Sequence, residues 1–356
     1  MEEAAVMTDL PFTRRPWPLF ATIAATFVAL FLAVLALPHD PYIRFQQLAK
    51  TIQFRSQWVY ERIALDRTPI DIAIVGNSRL GAGVSAPQVQ ARLRRLTGSD
   101  LHVANLTMPQ EGRNIHYAIV KRLIAERPEL KLIVLSVIEQ MPREGHPAFR
   151  DLADVKDVLD APLLLNRDYA NDIGVLPFRQ ISLFVQSLFP AAFGDVAALD
   201  RSRYPGSDLD SAQTFRLPDG KIVDRDAVQL EPELAAVASA RVRNITRPIL
   251  GAAGADYEFA VERAYTRRIA ALTKAHGVSV MFLYLPIYKD HEPVSDQKFY
   301  DAIGPTVSPG FVADDYRLYS DYGHLNVHGS RLVAPWLADR IAGLARRRLI
   351  RPVTDR

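Results

Sequence analysis

The sequence contains no cysteine and carries almost no excess charge. With 356 residues and no cysteine, the chain has no disulfide framework, no thiolate nucleophile and no cysteine metal ligand. Lysine and arginine total 43 against 40 for aspartate and glutamate, and the sequence has no compact basic patch with interleaved aromatic residues. Nucleic acid is therefore not an expected partner. The 49% hydrophobic content is enough for one large folded domain or two small ones.

One stretch near the N-terminus has no charged residue at all. It runs from Pro16 to Pro38, and a helix of about 20 apolar residues is long enough to cross a bilayer. We interpret it as an uncleaved anchor; the alternative is a cleaved signal peptide, for which the stretch is long. Arg14 and Arg15 precede it, which predicts a cytoplasmic N-terminus and a remaining chain outside the cytoplasm.

These features predict two regions of different surroundings. Residues 1–40 form a short cytoplasmic tail and a single anchor in the inner (cytoplasmic) membrane, and residues 41–356 form a periplasmic or extracellular domain. A linker near His39–Ile43 is expected to join them.

Beyond the linker, apolar runs alternate with helix-like segments. Four runs predict strands: Asp71–Val75, His102–Leu106, Lys131–Ile138 and Val278–Ile287. Helices are predicted between and after them, at Pro87–Leu96, Ile115–Arg127, Val261–His276 and Gly329–Ala345. This alternation predicts an α/β fold with a doubly wound, flavodoxin-like parallel sheet.

The interval from about Met141 to Ala255 interrupts this alternation. It is too long for a connection within a compact sheet, so the sequence predicts a large insertion at about residues 141–255. Within it, Thr214–Asp226 is typical of a β-hairpin turning at Pro218, Asp219 and Gly220. The apolar segment Leu163–Leu188 suits either a lid over a site or a plain packing layer.

Two short motifs at opposite ends of the predicted sheet carry the chemistry. The segment DIAIVGNSRLGAG places Ser78 after a predicted strand and a Gly-Asn turn, at the carboxyl end where open α/β sheets bind ligands. The segment DYGHLNVHGS places Asp321 and His324 in a turn before the last helix. An imidazole that accepts the hydroxyl proton and a carboxylate that orients the imidazole are what a nucleophilic serine requires.

The combination of the two motifs resembles the GDSL/SGNH hydrolase superfamily. There, a serine turn after the first strand supplies the nucleophile, and an Asp-x-x-His motif before the last helix supplies the acid and the base. Ser78, Asp321 and His324 match those three positions, and Asn326 and Gly329 match the rest of the D-x-x-H-x-N-x-x-G pattern. The resemblance covers about residues 71–345 and implies a catalytic triad without cofactor or metal.

The chain departs from the family pattern where the oxyanion hole is formed. Gln110 stands at the position of a glycine whose amide helps to form the hole, and Gly112 follows two residues later. The family asparagine of the third block is missing, since the residues after the predicted strand are Val137 to Gln140. The candidates for binding the oxyanion or the substrate are Asn77, Arg79, Gln110, Gly112 and Gln140.

An anchor, an insertion and an altered third block together resemble membrane-anchored SGNH-like proteins of bacterial envelope glycan modification, such as the alginate O-acetylation proteins. This resemblance implies acyl transfer to, or removal from, a glycan hydroxyl outside the cytoplasm, with a polytopic membrane acyltransferase as a possible partner. The alternatives are a membrane-anchored esterase or lipase, and a non-catalytic glycan-binding subunit. His328 lies four residues after His324, but a turn before a helix favours a surface histidine over a metal ligand.

Overall fold

The protein is an α/β structure built on a five-stranded parallel sheet. A computed structural model of the chain describes residues 17–138, 143–196, 198–200, 210–217, 219–243 and 250–350. The strands are β1 (Ile72–Val75), β2 (Val103–Asn105), β3 (Leu132–Ser136), β4 (Phe215–Arg216), β5 (Ile222–Val223), β6 (Ser279–Leu283) and β7 (Thr306–Val307). The sheet has the order β2-β1-β3-β6-β7, and β4 and β5 form a separate antiparallel hairpin.

Helices precede, connect and follow these strands. They are α1 (Trp17–Leu35), α2 (Pro41–Gln46), α3 (Arg55–Tyr60, extended by a π-helical turn at Glu61–Leu65), α4 (Ser78–Gly83), α5 (Ala86–Thr97), α6 (Arg113–Glu126), α7 (Phe149–Leu152), α8 (Val155–Leu159), α9 (Tyr169–Leu188), α10 (Pro190–Phe193), α11 (Glu231–Arg243), α12 (Gly251–Glu258), α13 (Ala260–Ala275), α14 (Gln297–Asp301) and α15 (Val327–Arg346). Two short 3₁₀ turns lie at Gly310–Val312 and Tyr316–Leu318.

The central strands are apolar on both faces because both faces are covered. Alternate residues of β1, such as Ile72 and Ile74, pack in a core with α5 and α15, whereas Ala73 and Val75 pack in a second core with α6 and α13. Every residue of β1 and β3 is buried, as expected for parallel strands between two helical layers. The two cores hold the carboxyl ends of β1, β2 and β3 side by side.

All four predicted strands and all four predicted helices are present, with bounds shifted by a few residues. The hairpin is also present: Arg216 pairs with Ile222, and Leu217 N–H donates to the Lys221 carbonyl at 2.8 Å. Pro218, at its predicted turn, lies outside the described residues. The predicted linker near His39–Ile43 is partly wrong, because Asp40 caps α2 and Pro41 occupies its first turn.

The insertion leaves the sheet after β3 and returns through α13. Its described residues divide into an anchor-side part, residues 143–196, and a cavity-side part, residues 210–243. The anchor-side part contains α7 to α10, and α9 packs against the end of α1. The cavity-side part contains the β4–β5 hairpin and α11, whose Leu234 and Ala238 join the core beside α15.

The N-terminal helix α1 is long and apolar enough to cross a membrane. Its mean hydropathy is 2.4 and only 6% of the apolar window is buried within the protein, so its side chains face outward along most of its length. The exception is Leu35 at its end, which is buried against the anchor-side part together with Leu176. Arg14 and Arg15, on which the predicted orientation depends, lie outside the described residues.

Candidate active site

Ser78 is positioned by the end of β1 and the start of α4. β1 ends at Val75 and α4 begins at Ser78 itself, so the serine lies at the carboxyl edge of the parallel sheet. The turn between them passes close to β3: a Cβ on Gly76 would lie 2.7 Å from Ser136 Cβ. A glycine is therefore required for the chain to turn here, and the turn presents the serine above the sheet.

Asp321 and His324 lie in a compact turn that leads into α15. The Oδ1 atom of Asp321 accepts hydrogen bonds from the N–H groups of Gly323 at 2.8 Å and His324 at 2.9 Å. Ser320 N–H donates to the His324 carbonyl at 2.9 Å, and Asn326 caps α15 immediately afterwards. The Asp-x-x-His spacing thus closes a turn that holds acid and base next to each other.

The turn brings the imidazole into contact with the serine across 246 positions of sequence. His324 Nε2 lies 2.8 Å from Ser78 Oγ, and Nδ1 lies 2.9 and 3.0 Å from the two carboxylate oxygens of Asp321. In the tautomer with its proton on Nδ1, His324 donates to Asp321 and Nε2 accepts from the Ser78 hydroxyl. This is the hydrogen-bonded order in which a base activates a serine and a carboxylate orients the base.

Asp321 is held in its charged form. Burial alone raises the pKa of this carboxyl, but the hydrogen bond from the His324 side chain, the nearby imidazole and the two backbone N–H donors outweigh it and leave the pKa below its ordinary value. Asp321 therefore stays ionised through the neutral range. An ionised carboxylate on Nδ1 stabilises the imidazolium that forms when the base takes a proton.

The backbone N–H groups of Ser78 and Gln110 have no hydrogen-bond acceptor among the described residues. Gln110 has a φ of 68°, in the left-handed region that favours glycine. Its side chain is held by Gln53, since its Oε1 accepts from Gln53 Nε2 at 2.6 Å.

The other predicted candidates occupy different places. Asn77 is used within the protein: its Oδ1 caps α4 and its Nδ2 donates to Glu111 at 3.1 Å. Arg79 stacks over the Tyr284 ring at 5.2 Å and does not line the cavity described below. Gly112, at φ 151°, begins α6 against the backbone of His146. Gln140 lies outside the described residues.

A cavity of about 240 Å³ opens beside the serine. The three triad residues line it together with Thr107, Met108 and Pro109, which follow β2. The remaining wall comes from outside the sheet and was not predicted from the sequence: Arg55, Gly81, Ala82, Ser211, Phe215, Val223, Arg225 and Ser320. Four of these belong to the cavity-side part, whereas no residue of Leu163–Leu188 lines the cavity. Within the described residues, the hairpin region and not the apolar segment covers the site.

Arg225 joins the two segments that carry the triad. Its Nη2 donates to the Ala82 carbonyl on α4 at 3.0 Å and to the Leu325 carbonyl, adjacent to His324, at 2.7 Å. Its own carbonyl accepts from Val327 N–H at 2.8 Å. Burial lowers the pKa of Arg225, and nearby carboxylates such as Asp321 partly offset this. One side chain of the insertion thus fixes α4 relative to the His324 turn.

Arg55 is a second buried arginine in the cavity wall. It reaches the site from α3 and donates to the Asn105 carbonyl at 3.0 Å and to the Ser211 hydroxyl. Burial lowers its pKa to about 10. It thereby links the segment after α1 to the carboxyl end of β2 and to the insertion. No local pattern around Arg55 or Arg225 indicates these roles, because each depends on contacts with distant segments.

His328 lies outside this arrangement. Its Nε2 is 3.5 Å from Asp226 and its side chain is half exposed. In the part of the chain that the structure describes, no group of three or more histidine or carboxylate side chains is arranged to hold a metal ion. The histidine that contacts the serine is His324 alone.

Comparison with known proteins adds no relative to these observations. The chain matches no protein-family model and no curated protein sequence. The arrangement of Ser78, His324 and Asp321 at the cavity therefore carries the functional argument by itself.

Proposed function

We propose that this protein is a membrane-anchored serine acyltransferase or esterase of the SGNH type, which transfers an acyl group to, or removes it from, a glycan outside the cytoplasm. The observation that carries the proposal is the 2.8 Å contact between His324 Nε2 and Ser78 Oγ, with Asp321 on the other ring nitrogen. A sheet order that becomes 2-1-3-4-5 when the hairpin is left out supports a doubly wound, flavodoxin-like and SGNH-like arrangement.

Acylation begins when Ser78 Oγ attacks the carbonyl carbon of an acyl donor. His324 Nε2 takes the hydroxyl proton, and Asp321 stabilises the imidazolium that results. We propose the N–H groups of Ser78 and Gln110 as the donors to the negative oxygen of the tetrahedral intermediate, because neither has an acceptor among the described residues. The intermediate collapses, His324 returns the proton to the departing oxygen, and the acyl group remains on Ser78.

Deacylation repeats the sequence with an acceptor in place of the serine. His324 takes a proton from a sugar hydroxyl or from water, the oxygen attacks the acyl carbonyl, and Ser78 leaves with the proton. The apolar side chains of Met108, Phe215 and Val223 in the cavity wall limit the room for water. A site that excludes water and positions a hydroxyl favours transfer over hydrolysis through proximity.

The location outside the cytoplasm belongs to the same proposal. It is supported by α1, which is apolar along its whole length, and by Arg14 and Arg15 before it. A domain held at the outer face of the inner membrane is well placed to receive an acyl group from a polytopic membrane partner. A reporter fused after Arg356 should be active only outside the cytoplasm. Reporter activity in the cytoplasm would contradict the proposal that the protein acts on an extracytoplasmic glycan.

The reactivity of Ser78 is tested directly with a fluorophosphonate probe on the full chain. The native protein should be labelled at Ser78, and Ser78→Ala should not be labelled, because only a serine activated by a base reacts readily. Ser182→Ala is the matched control, since Ser182 lies on the exposed face of α9 away from the cavity. A native chain that resists labelling would favour the non-catalytic glycan-binding alternative.

Transfer is separated from hydrolysis by offering an acceptor. With an activated acetyl ester as donor, added oligosaccharide should become acetylated while release of free acetate falls. If envelope polysaccharides and their fragments gain no acyl group and leave acid release unchanged, transfer is wrong and the esterase alternative stands.

A further inference from the structure

The anchor-side part has an apolar face that no described residue covers. We propose that this face lies in the surface layer of the lipid bilayer that α1 enters, so that the protein contacts the membrane through the insertion as well as through its anchor. We call it the α9 face; it consists of Phe178, Ile181, Val185, Leu188, Phe189 and Phe193. The proposal depends on α1 as a membrane anchor and does not depend on the chemistry of Ser78.

These side chains are strongly exposed, and most of them lie on one side of α9. The six residues are between 38% and 76% exposed. Phe178, Ile181, Val185 and Leu188 are spaced by three or four positions, so they form a single stripe along α9. Phe189 and the short helix α10 continue the stripe beyond its end. Just before α9, Leu163 to Leu165 are also exposed, so apolar side chains face outward at both ends of the helix.

The distribution of charged and apolar side chains on α9 is opposite to that of a helix on a water-exposed surface. Between Tyr169 and Gly194 the only charged residues are Asp172 and Arg179, and both are buried. A helix at a water-exposed surface places its charged residues on the outer face and its apolar residues against the core. Here the outer face is apolar and without charge, which is the pattern of a helix whose outer face contacts lipid.

Contacts between α9 and the end of the anchor give the face its location. Gln180 Nε2 donates to the carbonyls of Leu35 at 3.3 Å and Leu37 at 3.4 Å. Asp40 N–H donates to Ser187 Oγ at 2.9 Å. These partners are the last residue of α1 and the residues directly after it, so the C-terminal half of α9 lies where the chain leaves the membrane.

The bilayer is the occupant that this continuity favours. The exposed apolar side chains of α1 end beside Leu176 and Gln180, and the α9 face begins at Phe178 on the same helix. An apolar surface that continues directly from a membrane-spanning helix is already adjacent to lipid, whereas contact with another protein would require a partner. Phenylalanine and leucine are also the residues that interfacial helices bury at the boundary between headgroups and acyl chains.

The absence of cysteine from the sequence makes the test direct. Two variants of the full chain, Ile181→Cys and Val185→Cys, each carry one cysteine, which is labelled with the fluorophore NBD. Each labelled protein is then reconstituted into phosphatidylethanolamine–phosphatidylglycerol vesicles. Both labels should show blue-shifted emission and lose intensity when the lipids carry a nitroxide near the headgroup. Phe27→Cys, in the middle of α1, gives the reference for a label that is quenched by a nitroxide deep in the acyl chain.

A matched control lies on α15, in the helical layer on the other face of the sheet. Leu332 on α15 is 47% exposed, similar to Ile181, and is also an apolar helix residue; a label at Leu332→Cys should keep its emission with either nitroxide. Labels at 181 and 185 that behave like the label at 332 would overturn the proposal and favour a protein as the occupant. Equal quenching at all three positions would overturn it too, since contact would not be specific to the α9 face. The fluorophosphonate result at Ser78 is independent of either outcome.

Discussion

The two parts of the insertion differ in what they contact and in what they expose. The cavity-side part, residues 210–243, brings Arg225 and the hairpin residues Phe215 and Val223 to the triad. The anchor-side part, residues 143–196, packs against the end of α1 and exposes an uncharged apolar face. One interruption of the sheet therefore provides both a wall of the cavity at Ser78 and an apolar surface next to the end of α1. Substitutions in the two parts should have separable effects.

The largest effect on turnover is expected at the triad, which the cavity-side part contacts. There the proposed chemistry depends on single atoms. His324→Ala should lower turnover by about 10⁴-fold or more, and adding Ser78→Ala should lower it little further, because the two residues act as a unit. Asp321→Asn should cost about 100-fold less than His324→Ala, since Asp321 orients the base without transferring the proton. Ester turnover by each purified variant measures this.

The matched control is His328→Ala, which removes a half-exposed histidine four positions along the chain. It should keep native turnover. Near-native turnover in Ser78→Ala, or a loss in His328→Ala equal to that in His324→Ala, would show that the triad is assigned to the wrong residues.

The second largest effect tests whether the cavity-side part holds Ser78 and His324 in the correct relative position. Arg225→Ala leaves the carbonyls of Ala82 and Leu325 without their donor, and should lower kcat by about 10- to 100-fold with a smaller change in KM. Arg225→Lys retains the charge, but its shorter side chain does not bring a nitrogen to the position of Nη2, which donates to both carbonyls, so it should recover little. Arg216→Ala, which changes an exposed arginine in β4 of the neighbouring hairpin, is the control. Full recovery by lysine would show that a positively charged nitrogen at this position is sufficient and that the reach of the guanidinium is not required.

A third, smaller effect should appear in the anchor-side part without any change in catalysis. Burial, with the nearby Asp168 carboxylate, raises the pKa of Asp172 to about 6. The folded state then binds this proton more tightly than the unfolded chain, so the contribution of Asp172 to stability is present below about pH 4 and is lost as the pH rises through 6. Asp172→Asn should therefore be more stable than the native chain above pH 6, by about 1 kcal/mol after allowance for solvent screening.

Urea unfolding at pH 4 and pH 7.5 gives the free energy of unfolding of the native chain and of Asp172→Asn. Taking the difference between the two chains at each pH cancels the contributions of the buried histidines, which both chains contain. Ester turnover of Asp172→Asn should equal that of the native chain. A stability difference that is the same at both pH values would show that the carboxyl does not titrate in this range.

The smallest effect concerns the backbone at Gln110. A non-glycine residue in the left-handed region costs about 1 kcal/mol relative to glycine, part of which is offset by the greater freedom of glycine in the unfolded chain. Gln110→Gly should keep turnover within a few-fold and change the free energy of unfolding, measured by urea denaturation, by no more than about 1 kcal/mol, because relief of the backbone strain is offset by loss of the hydrogen bond from Gln53. A large loss of turnover would show that the side chain, through Gln53, contributes more than the backbone amide does.

The sequence predicted those parts of the structure that depend on local pattern. The strands are continuous apolar runs, and Asp321 and His324 occur in one turn, so both could be identified without knowledge of distant contacts. The edge strand β7 was not predicted, because it has only two residues and is followed by Ser308 and Pro309. Asn77 was predicted at the oxyanion or the substrate; the structure shows that its side chain caps α4.

The contributions of Arg55 and Arg225 could not be predicted for a different reason. Each arginine acts through carbonyl groups of segments far away in the sequence, and a single arginine in a helix or after a hairpin is indistinguishable from a solvated one until the fold is known. The same holds for the α9 face: its apolar composition was visible, but whether it covers the site or faces outward depends on how α9 packs against α1.

The pairing of β3 with β6 has a consequence for chain entropy. Leu132 to Ser136 pair with Ser279 to Leu283, so the insertion lengthens this crossover to about 140 residues from the roughly 35 of an uninterrupted strand–helix–strand unit. That is two doublings of a closed loop, and each doubling costs only about 0.6 kcal/mol. Chain length can therefore be added to or removed from this connection with little effect on closure of the sheet. What restricts change in the insertion is the set of contacts that its residues make with the triad and with the end of α1.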